Sequence, residues 1–395
     1  MSGAEETSFK VGSLTSSIYA PNLLFSIGQG AAIPVLALLA LDLGASPAVA
    51  GVIVGMQGLG TLVCDLPAGW LVSRIGDKRS MIGSGAALAL IAFAIWLRPP
   101  LPLYAVLVAL MGCTWSVWLL ARIAHAARSA PAAHRGRVMA LIGGLYRIGQ
   151  LIGPILGSVI LVRGDLTGPF LILAILALAA SATMALSRSP RFTREPVEHS
   201  TSVLRILREH RRTFVTAGTV AVTTQVLRAA RVALIPLWGH QLGISAGTIS
   251  ILFAAGAAIE SLMFYPVGML MDRKGRKWTA VPSIALLSVG MAMIPLTDDT
   301  ASLTIIVLLL GLANELGSGM NMTLGSDLSP LAGRSRFLGL WRLMTDFGTT
   351  GGPLLLAAVT TLASLGAAAV TVGGVGIVGV MILVWFVPET LEPAE

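Results

Sequence analysis

Charged side chains inside long apolar segments are the residues through which this chain could do chemistry. Glu260, Glu315 and Asp346 lie near the middle of such segments, where a charge that is neither paired nor hydrated costs several kcal/mol. Burial favours the protonated form of a carboxyl group and a nearby arginine favours the ionised form, so a carboxylate whose surroundings change can carry a proton. We predict that these three acids are the proton-coupling candidates. Permanent pairing with an arginine, which would only hold helices together, is the alternative.

Basic, aromatic and amide side chains in the same segments are candidates for contact with a small molecule or a counter-ion. Glu260 could pair with Arg228 or Arg231. On one helix face, two tryptophans and an arginine recur at i, i+3 and i+7, which would make an aromatic and cationic wall, although tryptophans facing lipid fit equally well. The candidates are Trp115, Trp118, Arg122, Arg147, Arg228, Arg231, Asn22, Gln29, Gln225 and Asn314.

Long apolar elements must position these groups. Hydrophobic residues make up 55% of the 395 residues and charged residues 12%, and the apolar runs are about 20 residues long, enough to cross about 30 Å of hydrocarbon. Soluble and disordered chains are excluded, and the continuous runs exclude the alternating strands of a membrane barrel. We predict an all-α membrane protein with twelve transmembrane helices at 13–41, 47–72, 80–97, 103–123, 138–162, 167–187, 214–238, 246–271, 279–297, 302–326, 337–360 and 367–388.

The positive charge of the chain indicates its orientation. Of the 27 Lys and Arg residues, Arg98 and Arg163 alone fall on the side opposite the termini, and cytoplasmic loops are the positive ones. We predict a multi-pass protein of the plasma (cytoplasmic) membrane with both termini cytoplasmic, no nucleic-acid partner and a monomeric state. Cys64 and Cys113 fall inside predicted spans, so we expect apolar packing from them, not a disulfide or a metal site.

An offset of 199 residues relates the first half of the chain to the second. Segment 69–79 matches 268–277, and the same offset relates Arg147 to Asp346, which could also pair with Arg342. Six spans per half give both copies the same orientation. We predict two six-helix halves, 1–187 and 214–395, joined by a cytoplasmic linker at 188–213.

The repeated segment resembles the signature of the major facilitator superfamily, Gly-x-Leu-x-Asp-Arg-x-Gly-Arg-Lys, and the resemblance extends over essentially the whole chain. It implies a gating motif in each half, with ion pairs that form in one conformation and break in the other. The residues concerned are Asp65, Gly69, Arg74, Gly76, Asp77 and Arg79 in the first half, and Gly268, Asp272, Arg273, Gly275, Arg276 and Asp327 in the second.

The first copy of the signature departs from the pattern. Ser73 stands in place of the aspartate, and Arg128 stands where the second half has an acid. We therefore expect this latch to have lost two acids, and Arg74 to pair with Asp65 or Asp77.

A glycine repeat in the fifth span resembles the motif of the drug:proton antiporter branch of this superfamily, with Ser158 in place of the last glycine. The match favours export, although glycines at this spacing also allow close helix packing. The residues are Gly149, Gly153, Pro154 and Gly157.

The resemblance implies a secondary transporter that works by alternating access, with Glu315 and Arg228 facing substrate, and Glu260, Arg147 and Asp346 in the gates. We predict proton-coupled efflux of small amphipathic molecules, with neutral, zwitterionic or anionic ones favoured because the central charges sum to zero. An importer or proton symporter is the first alternative, and a membrane sensor or partner-binding protein without transport is the second. We expect no enzyme activity, cofactor or metal, because no nucleophile, base and acid occur together.

Overall fold

A computed structural model describes residues 11–187, 203–330 and 333–389, and every regular element in those ranges is helical. Eleven helices are long and apolar enough to span a membrane: α1 Thr15–Asp42, α2 Pro47–Ile75, α3 Asp77–Trp96, α4 Leu101–Ser129, α5 Arg135–Leu161, α6 Gly168–Leu186, α7 Arg211–Gln241, α8 Ala246–Lys274, α9 Lys277–Leu296, α10 Thr300–Asp327 and α12 Leu365–Phe386. The prediction of an all-α membrane fold is confirmed.

The remaining predicted span, 337–360, lies within helix α11, Arg334–Leu362. Its 29 residues match the lengths of α2 and α4. Arginines in its first turns, Asp346 and a run of glycine and threonine lower its hydropathy, so α11 does not reach the apolarity of the other eleven.

Contacts divide the chain into two compact units. Unit 1 comprises Met1–Val35 and Leu59–Pro196, and unit 2 comprises Leu36–Gly58 and Val197–Glu395. The halves 1–187 and 214–395 and the linker 188–213 remain a prediction from the sequence repeat, and much of that linker lies outside the described residues.

In unit 1, α1 packs on α5 and α6, and α3 packs on α4 and α6. Glycines permit the closest of these contacts. A Cβ atom at Gly153 of α5 would lie 2.3 Å from the carbonyl oxygen of Ile27, and one at Gly149 would lie 2.4 Å from Cβ of Ser26. The backbones of α1 and α5 approach this closely because neither glycine has a side chain.

In unit 2, α7 packs on α11 and α12, and α9 packs on α10 and α12. The glycine contacts of unit 1 recur here 199 residues later. A Cβ atom at Gly348 would lie 2.5 Å from the carbonyl oxygen of Val222, and one at Gly352 would lie 2.4 Å from that of Val226. The α7–α11 contact therefore repeats the α1–α5 contact.

Helix α10 begins at a capping box. The side chain of Asp299 accepts a hydrogen bond from the backbone N–H of Ser302, 2.7 Å away. Hydrogen bonds from the side chain and backbone of Ser302 hold the pKa of Asp299 below its ordinary value.

The two cysteines contradict the expectation of simple apolar packing. Cys64 of α2 and Cys113 of α4 form a disulfide, with their Cα atoms 5.1 Å apart. One turn earlier, Gly60 lies so close to α4 that a Cβ atom on it would overlap the carbonyl oxygen of Ala109. Because the two helices touch at that level, residues four positions further along each of them meet.

Candidate functional site

The latch of unit 1 is an ion pair between Asp77 and Arg128. Asp77 opens α3, where the helix dipole favours a negative charge, and Arg128 lies in the last turn of α4. Arg128 Nη2 is 2.8 Å from Asp77 Oδ1, and its Nε donates to Oδ2 over 3.1 Å. His125 adds a third contact, with Nδ1 2.8 Å from Asp77 Oδ2 and its side chain only 4% exposed.

This geometry corrects the expected partners of Arg74. Its guanidinium carbon lies 5.1 Å from the centre of the Trp70 ring, which is a cation–π contact. Asp77 is engaged by Arg128, and Asp65 accepts a hydrogen bond from the hydroxyl of Ser116. The expectation that this latch has lost two acids is therefore wrong in part. Asp77 provides an acid at the start of α3, and the arginine of the pair lies at the end of α4.

The latch of unit 2 joins the equivalent positions. Arg276 Nε lies 3.2 Å from Asp327 Oδ2, and these residues follow Asp77 and Arg128 by 199 positions. Both pairs link residues 51 apart in sequence. The two latches share one geometry, and the acid and the base have exchanged places.

The rest of the signature contributes less than expected. Asp272 and Arg273 are exposed, and neither forms an ion pair with any other described residue. Gly76 and Gly275 have φ angles of 90° and 101°, which favour glycine. Gly69 and Gly268 have open space where a Cβ atom would be, and Arg79 is exposed.

The segment after α12 contacts the start of α9 at the second latch. The sequence interpretation missed this contact. The Glu389 carboxylate accepts hydrogen bonds from the backbone N–H groups of Arg276 and Lys277, over 2.8 and 3.0 Å. A Cβ atom at Gly275 would lie 2.7 Å from that carboxylate. Glu389 thus serves as the N-terminal cap that α9 otherwise lacks.

Helix α10 is interrupted in its middle, and two arginines of α7 donate to its carbonyls. The first helical stretch ends at Leu316, and the next begins after Gly319, whose φ is 78°. Arg228 Nη2 donates to the carbonyl of Asn314 over 2.8 Å, and Arg231 Nη1 to that of Leu310 over 3.2 Å. The Asn314 carbonyl is one of the last four before the interruption, which have no partner within the helix and need such donors.

Glu260 and Asp346 are engaged in ion pairs with arginines of unit 2. Arg231 Nη2 lies 3.0 Å from Glu260 Oε1, with both side chains largely buried. Arg342 Nε lies 3.4 Å from Asp346 Oδ2, one turn along α11. Glu315 is only 1% exposed and precedes the interruption of α10 by one residue.

Polar side chains of α7, α10 and α11 form a network on the other side of this interruption. Asn321 donates to Gln225 over 3.4 Å, and Gln225 donates to the hydroxyl of Thr349 over 3.3 Å. The indole of Trp341 donates to the carbonyl of Asn321 over 2.9 Å. Of the predicted candidates, Gln225 and Asn314 therefore lie within one region of unit 2.

The other candidates lie in unit 1. Trp118 of α4 is fully buried and stacks on Phe25 with ring centres 4.1 Å apart, so it does not face lipid. Asn22 and Gln29 are buried on α1, and Arg122 is 9% exposed. Arg147 is partly buried on α5.

The glycine repeat of α5 packs helices together, and the same contacts occur in α11 of the other unit. Gly149 and Gly153 correspond to Gly348 and Gly352. Pro154, within the repeat, lies inside α5, and Gly157 is buried on it. Helix packing accounts for this arrangement in both units, and the export that the motif favours remains a prediction.

Comparison with known proteins places the chain in a family. The family model "Major Facilitator Superfamily" matches residues 22–234 and 218–395. A search of curated proteins by sequence found no match.

Solved transporters share the fold. A D-xylose–proton symporter is 15% identical, with a TM-score of 0.73 over 96% of this chain and 98% of its own. A POT family transporter in complex with a thioalcohol-conjugated peptide is 12% identical, with a TM-score of 0.77 over 96% and 100%. The nucleoside transporter NupG is 14% identical, with a TM-score of 0.77 over 95% and 100%. The chain therefore belongs to the major facilitator superfamily and has the fold of its transporters, as the sequence signature predicted.

Proposed function

We propose that this transporter exports small amphipathic molecules in exchange for protons. The observation that carries the proposal is the burial of Glu315, whose side chain lies in the last turn of an interrupted membrane helix. A carboxylate in such a place is costly unless it is used. The gap at Gly317 to Gly319 leaves a hinge beside it that can change its surroundings.

Proton exchange follows from competition at this acid. In one conformation Glu315 is protonated and neutral, which suits its burial. In the other, a change in the contacts of Glu315 with an arginine or with substrate favours the ionised form, and the proton leaves. Arg228, which donates to the carbonyl one residue before Glu315, is the group we assign to that step.

The ion pairs of Glu260 and Asp346 support a gating role for these two acids. We propose that Arg231–Glu260 holds α7 against α8, and that Arg342–Asp346, one turn apart on α11, stabilises that helix beside the gate.

We further propose a monomer in the cytoplasmic membrane with both termini in the cytoplasm. The distribution of Lys and Arg supports this orientation.

Proteoliposomes with an imposed pH gradient test the function. Dyes, antibiotics and small organic anions are added one at a time, and the gradient is followed. We expect at least one compound to collapse the gradient with the native chain and with Glu209→Gln, a matched change at an exposed acid. Glu315→Gln should abolish the collapse. Compound movement without proton movement would exclude antiport, and full proton flux in Glu315→Gln would exclude Glu315 as the carrier.

A proton symporter that imports its substrate is the second candidate. The glycine contacts of both units allow it, because helix packing accounts for the repeat without reference to export. The same vesicles separate the two functions, because a symporter accumulates its substrate on the side to which protons flow and an antiporter depletes it there.

A further inference from the structure

Among the described residues of unit 1, no carboxylate forms an ion pair with Arg122 of α4. Arg122 is only 9% exposed, and its Nη1 donates a hydrogen bond to the amide oxygen of Asn22. Asn22 is itself fixed, since its Nδ2 donates to the carbonyl of Ile142 over 3.0 Å. An amide oxygen accepts a hydrogen bond but does not neutralise a guanidinium.

The acids of unit 1 are engaged elsewhere. Within its described residues, Asp65 accepts from Ser116, Asp77 binds Arg128 and His125, and Asp165 accepts from Thr167. A buried guanidinium without a carboxylate is costly and marks a functional site.

Two N–H donors on the same face of α4 have no acceptor in the part of the chain that the structure describes. They are Nε of Arg122 and Nε1 of Trp118, one helical turn apart, and both atoms are buried. Unsatisfied buried donors are rare in proteins and call for a partner. Because one of the two donors belongs to a guanidinium, the acceptor that suits it best carries a negative charge.

Aromatic rings flank these donors. Trp118 stacks on Phe25, and Trp115 lies 6.1 Å from Phe25 and 5.9 Å from Tyr146 between ring centres. Trp115 and Tyr146 are only partly buried. A planar aromatic group is the apolar partner that such rings favour.

We propose that this cluster, Asn22, Phe25, Trp115, Trp118, Arg122 and Tyr146, binds small organic anions in which a carboxylate is attached to an aromatic ring. The carboxylate takes the free donors of Arg122 and Trp118, and the ring lies against Trp115 and Tyr146. This inference rests on the proposed function, because it names the class of the transported molecule.

Binding of 1-naphthoate and its neutral amide, 1-naphthamide, tests the inference on the purified full chain in lipid nanodiscs, by calorimetry without a pH gradient. A hydrogen-bonded charge pair predicts that the acid binds about tenfold more tightly or better. Arg122→Gln should reduce the ratio of the two affinities to about one, and Arg122→Lys should retain part of it. Arg163→Gln, a change at an exposed arginine of the same unit, should leave it unaltered.

Trp115→Leu tests the aromatic part of the site. We expect the acid and the amide to lose affinity by a similar factor, so that their ratio is kept. Acetate, which has a carboxylate and no ring, should bind at least about tenfold more weakly than 1-naphthoate. A ratio of two affinities within one variant does not depend on how much of that variant is folded.

Several results would overturn the inference: equal affinities for acid and amide, tighter binding of 1-naphthylmethylammonium, an unchanged ratio in Arg122→Gln, acetate binding as tight as 1-naphthoate, or no binding of any naphthyl compound.

Failure of the proposed function can be distinguished from failure of the anion site. If the acid is preferred but no compound moves protons, the anion site stands and antiport is excluded. If protons move with other compounds while the amide binds as well as the acid, only the anion site is excluded.

Discussion

Asp77 and Arg128 form in unit 1 the same ion pair that Arg276 and Asp327 form in unit 2, with the charges exchanged. Each pair links the residue at or just before the start of one helix to the end of the helix that follows. The attraction between two charges does not depend on which helix carries which sign. A repeat can therefore keep this contact while both of its residues change.

We expect the first pair to tolerate an exchange of its residues. Asp77→Arg alone places two arginines and His125 together, and Arg128→Asp alone places two acids together, so each should lower stability and transport. The double variant restores opposite charges in the arrangement of unit 2. A double-mutant cycle on thermal unfolding should give a coupling energy of about 1 kcal/mol or more. A double variant no better than the worse single one would show that the pair acts by more than its charges.

The fold was predictable because membrane helices are specified by length and apolarity, which are local properties. The internal repeat predicted the position even of α11, the least apolar of the twelve helices. Side-chain partners were less predictable, since Asp77 and Arg128 are 51 residues apart and meet only through the packing of α3 on α4. Position by position, the first half lacks the acids of the family signature, and this suggested that the ion pair is lost. If the two residues of each pair had been compared together between the halves, the exchange of acid and base would have been apparent.

The glycines at the α1–α5 contact should be intolerant of a methyl group. Gly153→Ala places Cβ 2.3 Å from a backbone oxygen of α1, so the helices must separate, and a cost of about 2 kcal/mol is expected. Gly143→Ala on the same helix meets nothing within 4 Å and should be neutral. Thermal unfolding of the purified chain measures both. Equal stability of the two variants would contradict the packing role of the repeat.

Glu389 should stabilise the first turn of α9. Glu389→Gln removes the charge that accepts from two backbone N–H groups, and a loss of about 0.5–1 kcal/mol is expected for such a cap. Amide hydrogen exchange of Arg276 and Lys277 should quicken, whereas Glu209→Gln should not change it. Unaltered protection in Glu389→Gln would mean that the cap does not persist in solution.

Cys64 and Cys113 should resist alkylation until they are reduced. The sequence suggested two separate thiols, because nothing in it shows that Gly60 brings α2 against α4. The unfolded, unreduced chain is expected to take up no N-ethylmaleimide, and the chain treated with dithiothreitol two equivalents, by mass spectrometry. Two equivalents without reductant would show that the sulfurs are thiols in contact.

The ion pair of Arg231 and Glu260 allows its two possible roles to be separated. Glu260→Gln leaves a largely buried guanidinium without its acid, so stability should fall by about 1–3 kcal/mol. Removing both charges, with Arg231→Gln and Glu260→Gln together, eliminates the uncompensated charge and should recover most of that loss.

Proton flux in the double variant then decides between the two roles. If the pair only holds α7 to α8, transport recovers along with stability, because no step needs the carboxylate. If Glu260 carries the proton, stability recovers and proton flux does not, since glutamine cannot be protonated in its place. We expect recovery of both, because Arg231 also donates to the carbonyl of Leu310 and so holds Glu260 beside α10 as a fixed partner.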